Sequence, residues 1–158
     1  MLRITRELIR PDALRAELTD PAAGAFAAFE GWIRNLNEGR EVLRLEYEVY
    51  EPLAIKEGEK IIAEARSRWP ILHAACVHRH GLLEIGECAV WVGVSSAHRD
   101  AAFHACRYII DQVKVRLPIW KKEHYVDGQS GWVNCERCSE HADHRHIGGT
   151  FRPSSGTA

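Results

Sequence analysis

Pro118 separates two stretches whose periodicities belong to different kinds of element. Before it, Phe103, Cys106, Ile110, Val113 and Leu117 recur at spacings of three or four, the apolar stripe of an amphipathic helix, and Ser96 is placed to cap its start. After it, Ile119 to Val126 reads as a strand. Alternation there sends Trp120 and Lys122 to one face and Ile119, Lys121 and Glu123 to the other. The chain must therefore pass from helix to strand with almost no connection, and each side carries lysines.

The remaining punctuation extends this pattern. Leu2 to Arg6 reads as a short strand, and Pro11 opens a helix that runs to about Leu18 before Asp20-Pro21. Gly24 to Trp32 suits a packed strand, and Arg34 to Gly39 has the asparagines and glycine of an exposed loop. Val42 to Tyr50 alternates, with Leu43, Leu45, Tyr47 and Val49 expected on the buried face. Pro52 to Arg68 forms a helix with a buried stripe at Ile61, Ile62 and Ala65. Two strands, Leu72 to His80 and Cys88 to Ser95, are joined through Gly81 to Gly86, and Asp127-Gly128 turns the chain into a short return strand at Gly131 to Val133. The order predicts an α+β domain with a mixed, largely antiparallel sheet and helices packed on one face of it. Glycine-rich phosphate loops, a nucleophile elbow and internal repeats are absent from the sequence.

At 158 residues the chain suits one domain with a core that needs no disulfide scaffold. The boundaries fall at 1–133 for the folded domain and 134–158 for a tail of different character. The start lacks a continuous apolar stretch of the secretory type, and no run approaches the ~20 residues that cross a bilayer, so a cytoplasmic protein without membrane contact is expected. Cys76, Cys88 and Cys106 sit in apolar surroundings and are assigned to packing.

Charge is balanced overall, 21 basic against 22 acidic groups, which disfavours nucleic acid as a partner. The balance is uneven along the chain. Residues 98–124 hold 6 basic and 3 acidic groups: Arg99, Arg107, Lys114, Arg116, Lys121 and Lys122 against Asp100, Asp111 and Glu123. These cations are spread over the helix and strand around Pro118 and can converge on an anion. His98 and Arg99 fall in the first helical turn, where free backbone N–H groups favour phosphate, although the same pair could simply solvate the junction. Lys114 lines up with Arg107 and Asp111 as a helix-face ion pair, or it faces a site. Lys121 shares its face with Ile119, so it either lines a sheltered cavity, where a lysine can move protons or act as a nucleophile, or decorates a sheet edge.

The windows Phe29 to Gly39, Leu45 to Glu51, Arg68-Trp-Pro70, Val77-His-Arg-His-Gly81, Val94-Ser-Ser-Ala-His-Arg99, Ala102 to Asp111 and Pro118-Ile-Trp-Lys-Lys-Glu123 together resemble the catalytic, larger subunit of molybdopterin synthase. The resemblance runs in order to about Val133. It implies a central homodimer of catalytic subunits within a heterotetramer, each binding a small ubiquitin-like sulfur carrier. The carrier's Gly-Gly C-terminus, as a thiocarboxylate, would deliver sulfur to cyclic pyranopterin monophosphate, giving the molybdopterin dithiolene. Carried over residue by residue, the resemblance implies Arg34 for anion binding and His98 and Arg99 for the substrate phosphate or pterin. It implies Lys114 and Lys121 for catalysis, Lys122 and Glu123 for the adjoining wall, and Trp32 and Ile33 beside Arg34. Leu36 departs from the pattern, standing where many relatives have histidine.

No cofactor is required by that reaction. The tail is separate: Cys135 and Cys138 with His141 and His144, or His146 in its place, give an N/S donor set suited to a structural zinc, though a redox pair or an unliganded tail fits the same residues. The alternatives to sulfur transfer are a non-enzymatic dimeric module that binds an acidic peptide and, ranked lower, RNA binding through basic and aromatic residues.

Overall fold

The computed structural model describes residues 1–133. The tail, with Cys135, Cys138, His141, His144 and His146 and the zinc site considered for them, lies outside the described residues. In chain order the elements are β1 (Leu2–Thr5), α1 (Pro11–Glu17), β2 (Ala25–Trp32), β3 (Leu36–Asn37), β4 (Arg40–Val49), α2 (Glu51–Arg68), β5 (Ile71–Arg79), β6 (Gly81–Glu84), β7 (Cys88–Ser96), α3 (Arg99–Arg116), β8 (Ile119–Tyr125) and β9 (Ser130–Val133).

The α+β class with largely antiparallel pairing is as expected, but the strands form two sheets. One has the order β1-β5-β7-β2, with β1 parallel to β5 and the other pairs antiparallel. The second has the order β3-β4-β8-β9, and β6 also pairs with β4. The β5-to-β7 connection explains the difference. It is not a simple loop, because Gly81 to Glu84 leave the first sheet and pair with Arg44 to Tyr47 of the second. Gly81 and Gly86, at φ of 89° and 84°, take the left-handed conformations that this excursion requires.

Helices occupy both faces of the first sheet, not one. On one side Ile61, Ile62 and Ala65 of α2 and Ala105, Ile109, Ile110 and Val113 of α3 pack on Ala74, Cys76, Val92 and Val94. On the other, Leu14 and Leu18 from the α1 segment pack on Ala75, Val77 and Trp91. Successive residues of β5 point to opposite faces, so its continuous apolar run is buried twice over. A third cluster, Ile33, Val42, Leu45, Leu83 and Ala89, closes the second sheet.

Four local expectations change. A register shift between Val42 and Arg44 opposite β8 inserts a bulge, which buries Val42 and Leu45 together and turns Leu43 out to solvent. Phe103 is also exposed, because the buried stripe of α3 is Ala102, Ala105, Cys106, Ile109, Ile110 and Val113, whose small residues let the helix approach β7. Ser96 does not cap α3: His98 is the N-cap residue, and the Ser96 hydroxyl donates to the His98 carbonyl at 2.6 Å. The expected loop at 34–39 contains a tight hairpin, with Asn37 paired to Arg40 across Glu38 and Gly39, both at positive φ as a type I′ turn demands.

Gly58 shows why β1 lies where it does. A Cβ at this buried position of α2 would stand 2.3 Å from Leu2 Cδ2, so only glycine lets β1 lie against the helix. The neighbouring Glu59 carboxylate accepts from the Leu2 N–H at 2.7 Å. Gly58→Ala gains about 1 kcal/mol of helix propensity, but overpacking against Leu2 costs up to about 3 kcal/mol, so a net loss of about 1–2 kcal/mol is expected. Urea unfolding checks this, and a variant as stable as the wild type would contradict it.

Candidate active site

The helix-to-strand junction is as short as the periodicities require. Leu117 is the extended C-cap of α3, the Ile119 N–H donates to the Leu117 carbonyl at 2.8 Å, and the Tyr50 N–H donates to the Pro118 carbonyl at 3.2 Å. Lys114, three residues before the cap, and Lys121, three after Pro118, therefore line one cavity. Its volume is about 90 Å³, and Tyr47, His78, Val113, Leu117 and Ile119 complete the walls.

Lys121 is 8% exposed, with its Nζ 2.9 Å from Oε1 of Glu123, itself only 1% exposed. The second carboxylate oxygen accepts from the Tyr125 hydroxyl at 2.7 Å and from Asn37 Nδ2 at 3.1 Å. Burial alone pushes the Glu123 carboxyl up, but the bonds from Lys121, Tyr125 and Asn37 outweigh it and hold the group below the usual carboxylate range. The cavity thus carries its own buried counterion. Lys114 has no ion-pair partner among the described residues, because Asp111 is engaged by Arg107 Nε at 3.0 Å.

His78 is a member of this cavity that the sequence did not single out. Its Nδ1 lies 2.9 Å from the Arg79 carbonyl oxygen, which can only accept, so Nδ1 carries the hydrogen and Nε2 presents a lone pair. The ring packs edge-on against Tyr47, with centroids 5.4 Å apart. Burial drives its pKa down to about 4 against the pull of the Arg79 carbonyl, and the nearby His80 and Lys114 charges act in the same direction as burial. At neutral pH the imidazole is uncharged. The available signal was its position, a histidine directly after the apolar Ala74 to Val77 run of a strand buried on both faces.

The other candidates divide. Arg34 is exposed on the β2–β3 loop and donates to Asn37 Oδ1 at 2.9 Å, so it reaches Lys121 through Asn37 and Glu123. Trp32 is exposed, with its indole N–H on Glu30 at 3.0 Å. Ile33 anchors this loop from within the third core cluster, its side chain almost wholly buried. Lys122 does not adjoin Lys121 on the cavity side: alternation turns it to the opposite face, with its Nζ 5.6 Å from the Trp132 ring centroid. Glu123 acts as a buried partner to Lys121 and not as an open wall. His98 and Arg99 are exposed at the start of α3. At 1.5 Å per residue they lie about 22 Å along the helix from Lys114, so one chain does not bring them to the lysine cavity.

Residues 4–116 match the family model described as MoaE protein. The chain is 41% identical over 138 residues to the molybdopterin synthase catalytic subunit of Bos taurus, covering 87% of this chain and 73% of that protein. It is 44% identical over 131 residues to the corresponding subunit of Thermoplasma volcanium, covering 83% of this chain and 96% of that protein. The crystal structure of molybdopterin synthase from Staphylococcus aureus superposes with a TM-score of 0.79 at 37% identity, covering 83% of this chain and 95% of that one. The chain belongs to the MoaE family, the molybdopterin synthase catalytic subunits, and its homology supports a sulfur-transfer role of the MoaE type.

The His78 environment has a thermodynamic consequence. Its folded pKa, about 4, lies below the unfolded value of 6.5, so its contribution to stability is complete above pH 6.5 and is lost as pH falls toward 4. A difference of this size corresponds to about 3 kcal/mol. Chemical unfolding of wild type and His78→Phe at pH 7 and pH 4 should show their stability difference moving by that amount in favour of the variant. A difference independent of pH would contradict the assignment.

Proposed function

We propose that this chain is the catalytic subunit of a molybdopterin synthase, and that sulfur transfer to cyclic pyranopterin monophosphate takes place at the Lys114–Lys121 cavity. The observation that carries this reading is the meeting of two lysines and a neutral histidine in one cavity, one of the lysines paired to a buried carboxylate, in a chain of this family. A small ubiquitin-like carrier would insert its extended Gly-Gly terminus, whose lack of side chains suits a narrow cavity. Both reactants bring negative charge, the thiocarboxylate on the carrier and the phosphate on the pterin. Cationic groups at the cavity offset their repulsion and stabilise the oxyanion that forms as the acyl carbon is attacked.

In this mechanism Lys114, free of ion pairing among the described residues, polarises or transiently engages the carrier carbonyl. Lys121, held by Glu123, handles proton transfer during sulfur addition and during release of the phosphate from its ring. The acyl carbon loses its bond to sulfur and takes oxygen from water, so that the carrier leaves as a carboxylate. Two such transfers give the dithiolene: each new C–S bond on the pterin replaces a C–O bond, whose oxygen leaves with the opening cyclic phosphate in one case and as water in the other. Arg34 holds the anionic end of the substrate. His98 and Arg99, remote from the cavity in their own chain, would serve the site of a second copy, which supports a homodimeric core with one carrier at each site.

Single-turnover conversion with purified thiocarboxylated carrier tests the lysine roles. Lys114→Ala and Lys121→Ala are each expected to lower the rate by about 100-fold or more, the range for loss of an acid–base or electrostatic group. Near-native conversion by both variants would contradict the mechanism.

A further inference from the structure

The side-chain amide of Asn37 is crossed by two hydrogen bonds of opposite sense. Its Oδ1 accepts from Arg34 Nη2 at 2.9 Å, and its Nδ2 donates to Glu123 Oε2 at 3.1 Å. Reversing the amide would set its oxygen against a carboxylate and its NH2 against a guanidinium, so the partners themselves fix its orientation. Few side chains can do both. An aspartate could accept from Arg34 but would place a second negative charge beside Glu123, and a leucine could do neither.

The backbone holds this amide in place. Asn37 begins the type I′ turn, and its partner Arg40 is fixed three ways: to Asp127 at 3.0 Å, to Gln129 at 2.9 Å, and over the Tyr125 ring at 3.6 Å. Tyr125 is also the residue whose hydroxyl donates to Glu123. One clamp therefore fixes both of the neutral donors that meet the Glu123 carboxylate.

We propose that Asn37 is a positioning residue that couples anion binding at Arg34 to the buried Glu123–Lys121 pair. An anion that recruits the Arg34 guanidinium draws it from Oδ1. Without that cation the amide is less polarised and donates less strongly to Glu123, whose charge then falls more fully on Lys121. Occupancy of the outer site is thereby felt at the inner lysine through three side chains in series. The inference rests on the sulfur-transfer reading in taking Arg34 as the anion site and the natural anion as the substrate's phosphate.

The test uses the full chain, 13C-labelled at its glutamate carboxyls, with the Glu123 resonance assigned by its loss in Glu123→Gln. Asn37→Leu removes one of the donors on Glu123, and the near-isosteric Asn37→Asp replaces that donor with like charge. Both are expected to raise the Glu123 titration midpoint, the aspartate variant by about one pH unit or more. Inorganic phosphate should move the Glu123 resonance in the wild type and leave it in place in Asn37→Leu. A Glu123 midpoint unchanged in Asn37→Asp, or a phosphate response that survives in Asn37→Leu, would overturn the coupling. Neither arm uses carrier or pterin, so a failure of the sulfur-transfer reading would leave both measurements standing.

Discussion

A carboxylate with 1% of its surface exposed is costly to keep charged, and Glu123 is kept charged by the company around it. Lys121 and Tyr125 come from β8 and Asn37 from the β3–β4 hairpin, so its three donors tie the β3 edge of the second sheet to β8 across β4. Removing any one of them leaves a buried charge undersupplied. The position of Lys121 in the cavity and the connection of that cavity to Arg34 both depend on this one group.

The rest of the architecture delivers the partners of that pair. Helix α3 lies with its alanine-rich stripe on the first sheet and ends at Leu117. The immediate return into β8 then carries the chain from the first layer to the second. Lys114 is thereby fixed by packing against the first sheet and Lys121 by pairing within the second. β5 supplies His78 from the first sheet, and β4 supplies Tyr47 from the second, so the cavity lies on the seam between layers. The excursion of β6 onto β4 closes the same seam from the other side. Core packing and site geometry are consequently hard to separate here, and substitutions that spread the layers should be felt at the lysines.

Legibility from sequence followed the range of the interaction. The inward face of Lys121 was readable because it depends only on alternation along β8, and the helix end at Leu117 because Pro118 marks it. The bulge at Leu43 was not, since it arises from pairing with a strand some 80 positions away; the register shift lies opposite Tyr125 and His124. Phe103 misled because a large apolar residue at helical spacing looked like core, whereas close approach to β7 selected the alanines. The single sheet expected from element order became two because four residues, Gly81 to Glu84, were read as a connection. The family resemblance pointed to Arg34, Lys114 and Lys121, but it also set Lys122 beside them, where alternation along β8 already turned it away, and it could not reveal that His98 and Arg99 lie at the far end of α3. His78 was marked only by its position after an apolar run, and the contacts of Asn37 with Glu123 exist only in the folded chain and have no local signature.

Every role assigned to these side chains depends on sulfur transfer taking place at this cavity. The direct measurement is reconstitution of the full chain with cyclic pyranopterin monophosphate and a thiocarboxylated small carrier, with products resolved by mass spectrometry. Sulfur transfer at the cavity should yield molybdopterin bearing two carrier-derived sulfurs, with the carrier recovered as its carboxylate. Absence of that product under conditions where an established synthase forms it would contradict the claim.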